Sequence, residues 1–422
     1  MKRIYFFVCI IVLCCINSAQ AHLPCPVNGR GVLQCDAELK SSYKKSVSLH
    51  FDVNSREESY AARMLTKSLQ ERGYVINANS GDYSINFFID KKGYGAEAFA
   101  IIPEGNVIKI IGGDYRGLIY GALSLSEDLR NEILLDNAVA RSEKPKLMLR
   151  AVKYDLPWDT YRHSEALNLH DETCRDPKYW EAFLDMMAEN RLNALSLWNL
   201  HPYPFMIMPK NYPEASPFTK EEFKEWQKLF QSIIGMAAER AIETYLIPFN
   251  IFVTPEFSVA HNVAMDNLDH HFYVRGETAQ IVKDYTRECV TQVLEEYPDL
   301  TGFGLTLGEG MAGMTPQERE AWMTETIIEG MRRANRPSKL VHRVPFSSTT
   351  ESLGNTSVET ERITRASIER EADMGFTEGP IFADFKFNWS HSLSTPKLIK
   401  VHGGPLYDTY FNPVSDKYKV TW

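Results

Sequence analysis

The sequence predicts an α/β protein: a (β/α)8 TIM barrel, incomplete at about six to seven strands, preceded by a small α+β sandwich domain. Three observations carry this expectation. From Leu149 onward, short apolar strands alternate with amphipathic helices six times, the rhythm of a parallel sheet with helical crossovers. Before that, residues 46–145 run strand, helix, strands, helix, which reads as one sheet backed by helices. No Gly-rich phosphate turn follows the first strand of the repeat, which disfavours an open, doubly wound nucleotide-binding sheet.

Size and composition agree. The chain has 422 residues, is 44% hydrophobic and carries a net charge of -9. That apolar fraction fills a sizeable core and excludes intrinsic disorder. No long basic run interrupts the acidic balance, so no nucleic-acid partner is expected. Aromatic residues make up 12%, enough to supply sugar-stacking surfaces in addition to a core.

Residues 1–21 read as a signal peptide. Lys2 and Arg3 precede the apolar run Ile4 to Ile16, and Ala19-Gln20-Ala21 is a small-x-small cleavage site. The run is too short to span a membrane, and no later segment qualifies. A mature chain from about His22 is expected in a periplasmic or extracellular compartment. Of the seven cysteines, four survive cleavage: Cys25, Cys35, Cys174 and Cys289. Their spacing matches no zinc site, and Cys25 and Cys35 are close enough in sequence to pair in an oxidising compartment.

The N-terminal α/β domain, 22–145, follows. Ser46 to Val53 alternates as a strand, and Ala61, Met64, Leu65 and Leu69 fall at helical spacing in a helix stopped by Gly73. Tyr83 to Ile89 is a second strand. Ala98 to Pro103 and Val107 to Ile111 flank Glu104-Gly105-Asn106 as a hairpin, and Gly112-Gly113-Asp114 opens a helix over Tyr115 to Arg130. With no cluster of His, Cys and carboxylates, this domain is expected to act as scaffold.

The barrel domain, 149–422, has strands expected at 149–156, 194–198, 244–252, 302–307, 340–345 and 381–387. A further strand starts near Tyr418, where the printed chain ends at Trp422. A barrel needs eight strands, so the sequence reads as C-terminally truncated, with little activity expected of these 422 residues alone.

In a barrel, function sits at the C-terminal strand ends. Those ends carry Trp158 and Arg162 after the first strand, Trp198, Asn199 and His201 at the second, and Glu256 and His261 in a long loop after the third. Glu309 ends the fourth, and Asp384, Lys386, Asn388 and Trp389 lie on and beyond the sixth. Carboxylates beside aromatic platforms are what glycoside cleavage requires: an acid for the leaving oxygen, a second carboxylate, and flat faces for sugar rings. Glu309, flanked by Gly308 and Gly310 at an apolar strand end, is the sharpest candidate for the general acid. Asp384 shares a face with Lys386 and Asn388; a catalytic role and a space-filling ion pair with Lys386 are equally open. Trp198 is read as a sugar platform or as core, Asn199 and His201 as hydroxyl ligands, and Arg162 as a partner for a carboxylate-bearing sugar. No metal or cofactor is implied, and the partner is a carbohydrate.

Two motifs resemble known families. Asp114-Tyr115-Arg116-Gly117-Leu118-Ile119-Tyr120-Gly121-Ala122 is similar to a helix of the non-catalytic α/β domain that precedes the barrel in α-glucuronidases and β-N-acetylhexosaminidases. Glu296-Tyr297-Pro298-Asp299-Leu300, with Gly302-Phe303 and Gly308-Glu309-Gly310, resembles the fourth-strand motif of family 67 α-glucuronidases. That resemblance implies an exported glycoside hydrolase of α-glucuronidase type with Glu309 as general acid. It also places paired base carboxylates after the sixth strand and on the seventh, where this chain has Asn388-Trp389-Ser390-His391 and then ends. A non-catalytic carbohydrate-binding protein on the same scaffold is the alternative.

Overall fold

The computed structural model describes residues 45–77, 80–160, 164–263, 276–308, 310–343, 358–384 and 415–421. Residues 1–21, expected as a signal peptide, and Cys25 and Cys35 lie outside them. Two sheets organise the described residues. The first contains β1 (Ser46–His50), β2 (Val75–Ile76), β3 (Tyr83–Ile89), β4 (Phe99–Glu104), β5 (Val107–Gly112) and β6 (Arg141–Glu143), in the order β2-β1-β3-β5-β4-β6. β4 and β5 form the expected antiparallel hairpin, while β1, β3 and β5 pair in parallel. The two- and three-residue strands β2 and β6 are too short to give an alternation signal, and sequence reading missed both.

Helices α1 (Arg56–Glu71) and α2 (Tyr115–Arg130) pack on this sheet. Ser55 caps α1 by accepting from the Glu58 amide, and Asp114 caps α2 by accepting from the Gly117 amide. The Gly112-Gly113 turn is constrained by proximity. A β-carbon on Gly113 would lie 2.0 Å from the Gly95 carbonyl oxygen, and its φ is not in the left-handed region, so crowding and not torsional strain makes glycine necessary. Gly113→Val is therefore expected to lower unfolding stability by about 3 kcal/mol, read from urea melts; an unchanged midpoint would contradict the close approach.

The second sheet contains β7 (Ala151–Asp155), β8 (Ala194–Asn199), β9 (Glu243–Pro248), β10 (Gly302–Leu305), β11 (Lys339–Arg343), β12 (Ile381–Asp384) and β13 (Tyr418–Thr421). They lie in strict sequence order, every neighbouring pair parallel. This is a curled, seven-stranded portion of a TIM barrel. Its helices are α3 (Glu165–Arg175), α4 (Pro177–Glu189), the single turn α5 (Tyr203–Met206), α6 (Lys220–Glu239), α7 (Pro255–His261), α8 (Gln280–Glu296), α9 (Pro316–Met323), α10 (Glu329–Arg333) and α11 (Val358–Asp373). Reciprocal Thr–Glu capping boxes start α6 (Thr219, Glu222) and α9 (Thr315, Glu318). Between α9 and α10 the helical run passes through a π turn at Thr324–Ile328. The segment holding Glu256 and His261, expected as loop, is helix α7. No helix among the described residues is long and apolar enough to cross a membrane.

The first sheet is fastened to the N-terminal ends of the barrel strands. Arg116 donates to Glu97 (2.7 Å), to Glu243 at the start of β9 (3.2 Å) and to the Ala241 carbonyl (2.7 Å). Lys339, which begins β11, donates to Glu243 at 2.6 Å. Burial alone would raise the Glu243 carboxyl, but Arg116 and Lys339 outweigh it and hold the group below its ordinary value. The small domain thus grips the end of the barrel opposite to the one where barrel chemistry occurs.

Candidate active site

Strand alternation gives the barrel two faces. Leu195, Leu197, Leu246, Phe303, Leu305, Leu340, Ile381 and Ala383 face the helices in the main core. Ala194, Trp198, Tyr245, Ile247, Val341 and Phe382 face inward and cluster with Leu200, Phe249 and Phe252. Toward the C-terminal strand ends this inward face turns polar and charged. Lys153 and Asp155 come from β7, Arg343 from β11, and Asp384 stands in register with Arg343 on β12.

Trp198 is the centre of this face. The Lys153 ammonium lies 4.1 Å from its ring centroid and the Arg343 guanidinium 5.5 Å from it. Its indole N–H donates to Ser196 Oγ at 3.0 Å, and Phe249 packs at 5.7 Å. Lys153 Nζ is 3.3 Å from Asp155 Oδ1. Two cations, two carboxylates and an aromatic ring therefore line one mouth.

The fourth-strand end is shaped by glycine. Gly308 has φ +121° and Gly310 φ +71°, and a β-carbon on Gly310 would lie 2.2 Å from the Asn250 carbonyl oxygen. Asn250 in turn donates to Thr306 Oγ1 (3.2 Å), which donates to the Pro248 carbonyl (2.9 Å). The backbone on both sides of position 309 thus takes conformations that favour glycine, pressed against the end of β9. Glu309 itself lies outside the described residues, as do Arg162, Lys386, Asn388 and Trp389.

The other sequence candidates are dispersed. Trp158 is buried in the helical layer, 4.8 Å from Trp226 and 6.0 Å from Phe230. Asn199 is buried and donates to the Trp158 carbonyl at 2.6 Å, joining the loops after β7 and β8. His201 points away from the mouth and meets the Tyr285 hydroxyl of α8 at 2.9 Å. His261 contacts Glu214 Oε1 at 2.6 Å, and Glu256 is exposed on the first turn of α7. Asp155, Asn250 and Arg343 stand among the strand-end residues of the sequence without an assigned role, and Lys153 and Thr306 were missed. Their signal was polar residues at inward positions of otherwise apolar strands.

A second buried polar cluster lies behind β11. His342 faces outward between α9 and α11; its Nδ1 is 2.8 Å from Glu371 Oε2 and its Nε2 is 3.4 Å from Glu320 Oε2. Thr364 donates to Glu320 Oε1 at 2.7 Å. All three charged residues are buried. They are donors of the kind that bind metal ions, gathered within 4.8 Å. The carboxylates, however, sit at opposite nitrogens of the ring, the geometry of a bridging imidazolium and not of ligands converging on one point. Burial disfavours the charged ring, but Glu371 and Glu320 outweigh it and push the His342 pKa up to about 10.

Residues 36–141 match the family model for glycosyl hydrolase family 20, domain 2. The chain is similar in structure to a GH138 enzyme targeting pectin rhamnogalacturonan II, with a TM-score of 0.67 and 25% identity over 83% of this chain and 39% of that one. A Streptomyces plicatus β-hexosaminidase gives a TM-score of 0.52 at 13% identity, covering 81% of this chain and 70% of that one. The GH20 β-N-acetylhexosaminidase of Streptomyces coelicolor A3(2) gives 0.51 at 13%, covering 81% and 72%. At that identity the last two show a shared fold. No curated protein sequence matches the chain significantly.

The architecture is therefore glycoside hydrolase-like: a GH20-type second domain joined to a TIM-barrel sheet. Its structural neighbours include GH20 enzymes and a GH138 enzyme, and the chain spans about two-fifths of the latter's length. These matches give no support to the α-glucuronidase assignment that the fourth-strand motif implied.

Proposed function

We propose that this protein belongs to an exported glycoside hydrolase acting on acidic, pectin-type polysaccharide. The observation that carries the reading is the inward pair Lys153 and Arg343 flanking Trp198. Trp198 is buried beneath these two cations and holds them in place, and the cations offer charge-assisted bonds to a sugar carboxylate at the mouth. The GH138 neighbour, whose name specifies a pectin target, supports the same substrate class. In this reading Glu309 is the general acid and Asp384 the second carboxylate, with the spacing between them deciding the stereochemical outcome.

The test is binding and turnover of the purified protein with galacturonate-containing pectic oligosaccharides, against neutral oligosaccharides of equal length. Acidic oligomers should bind more tightly. Arg343→Met should weaken that preference by about tenfold or more, the share of a charge-assisted hydrogen bond of about 1.5–3 kcal/mol. Equal affinity for neutral and acidic oligomers would remove the acidic-substrate reading. Tight binding of acidic oligomers with no turnover by the complete gene product would favour the carbohydrate-binding alternative.

A further inference from the structure

The barrel rim carries a second concavity, separated from the mouth by a layer of aromatic side chains. It has a volume of about 480 Å³ and is lined by Arg175, Phe218, Glu222, Glu225, Trp226 and Leu229. Arg175 closes α3; the other five come from the entry to α6 and its first turns. These segments belong to the connections that follow β7 and β8, so the cleft opens at the same end of the barrel as the mouth.

Its wall is pre-organised. Phe218 and Trp226 lie side by side, with ring centroids 6.1 Å apart and planes inclined by 38°. Trp158 and Phe205 support Trp226 from behind, each at 4.8 Å. The Arg175 guanidinium sits 4.3 Å from the Trp226 ring and is paired with Asp171 at 2.9 Å. The Glu222 carboxylate accepts from the Thr219 amide (2.9 Å) and hydroxyl (2.7 Å), which fixes its direction. Glu225 is exposed one turn further on.

We propose that this cleft is a sugar-binding subsite for an uncharged pyranose unit. Phe218 is the half-buried ring of this wall and offers apolar contact to the C–H face of a sugar, Trp226 being buried beneath Arg175, and carboxylates are strong acceptors for vicinal hydroxyls. The volume falls in the range of about 300–1,000 Å³ usual for small-ligand sites. Charge sets the specificity. Arg175 already has Asp171, so Glu222 and Glu225 leave the lining net negative, which repels a sugar carboxylate. The interior mouth sets Lys153 and Arg343 against Asp155 and Asp384, so its charges balance and the cleft is the more negative of the two places. A branched polysaccharide carrying both neutral and acidic units could occupy both places at once. The subsite does not depend on the mouth being hydrolytic, so the two readings fail separately.

The probes are methyl β-D-galactopyranoside, methyl α-L-rhamnopyranoside and galacturonic acid, followed by ligand-observed NMR titration of the intact protein. The neutral glycosides are expected to bind, and Glu225→Gln to weaken them by about tenfold, the equivalent of about 1.4 kcal/mol. Glu225 is exposed, so this variant should fold. Phe218→Ala is the second variant and should weaken the same probes. Galacturonic acid binding should be unchanged in Glu225→Gln. Neutral glycosides that fail to bind, or that bind both variants as well as the parent protein, would overturn the proposal. So would an equal loss of galacturonic acid binding in Glu225→Gln.

Discussion

In the completed protein, Glu309→Gln is expected to lower turnover of glycosides with poor leaving groups by about 10²–10⁴-fold, the usual share of general acid–base catalysis. The substitution keeps the side-chain shape and removes the proton that a departing alkoxide needs. Nitrophenyl glycosides need little protonation, so their turnover should fall much less, and binding should be almost unchanged. A purely structural Glu309 would produce similar losses for both leaving groups, with a lower melting temperature. Leaving-group dependence is therefore the discriminating measurement. Gly308 and Gly310 flank this position with backbone that favours glycine, and Gly310 is held against the Asn250 carbonyl at the strand end.

The second large effect is on stability. His342→Leu would leave Glu320 and Glu371 buried without the cation between them, and removing one member of a buried ionic cluster costs about 3–5 kcal/mol. The same cluster predicts a pH dependence with a definite sign. The folded-state pKa of His342, pushed up to about 10, exceeds the ordinary 6.5 expected of the unfolded chain. Below about pH 6.5 both states hold the proton and the contribution is complete. From there to about pH 10 only the folded state holds it, so stability falls as pH rises and the contribution is lost above that. Urea melts of the parent protein and His342→Leu from pH 6 to 10 should therefore converge as pH increases. A constant gap across that range would show that the imidazolium charge is not what holds α9 and α11 to β11.

Much of this protein was determined by local pattern. The period-2 alternation of Tyr83–Ile89 and the paired runs around Glu104-Gly105-Asn106 located their strands, since one face must be buried and one need not be. The strand–helix rhythm after Leu149 specified a parallel, barrel-type sheet because parallel strands need crossovers. Capping at Asp114 and Thr219 set helix starts within a few residues. The strand starts fell within two residues of those expected, while β9 and β10 end at Pro248 and Leu305, short of the expected 252 and 307.

What the tertiary structure alone decided is which strand-end residues share that site. Asn199 and His201 follow one another closely on β8 and its loop, yet Asn199 ties the Trp158 carbonyl and His201 turns toward Tyr285 of α8. Lys153 and Arg343 are 190 positions apart in sequence, and only the curl of the sheet brings both to the ring of Trp198. The same holds for His342, whose two carboxylates come from the helices on either side of its strand. A strand's period states which face a side chain takes. It carries no information about which distant strand or helix meets that face, because that is set by curvature, crossover length and packing across the whole sheet.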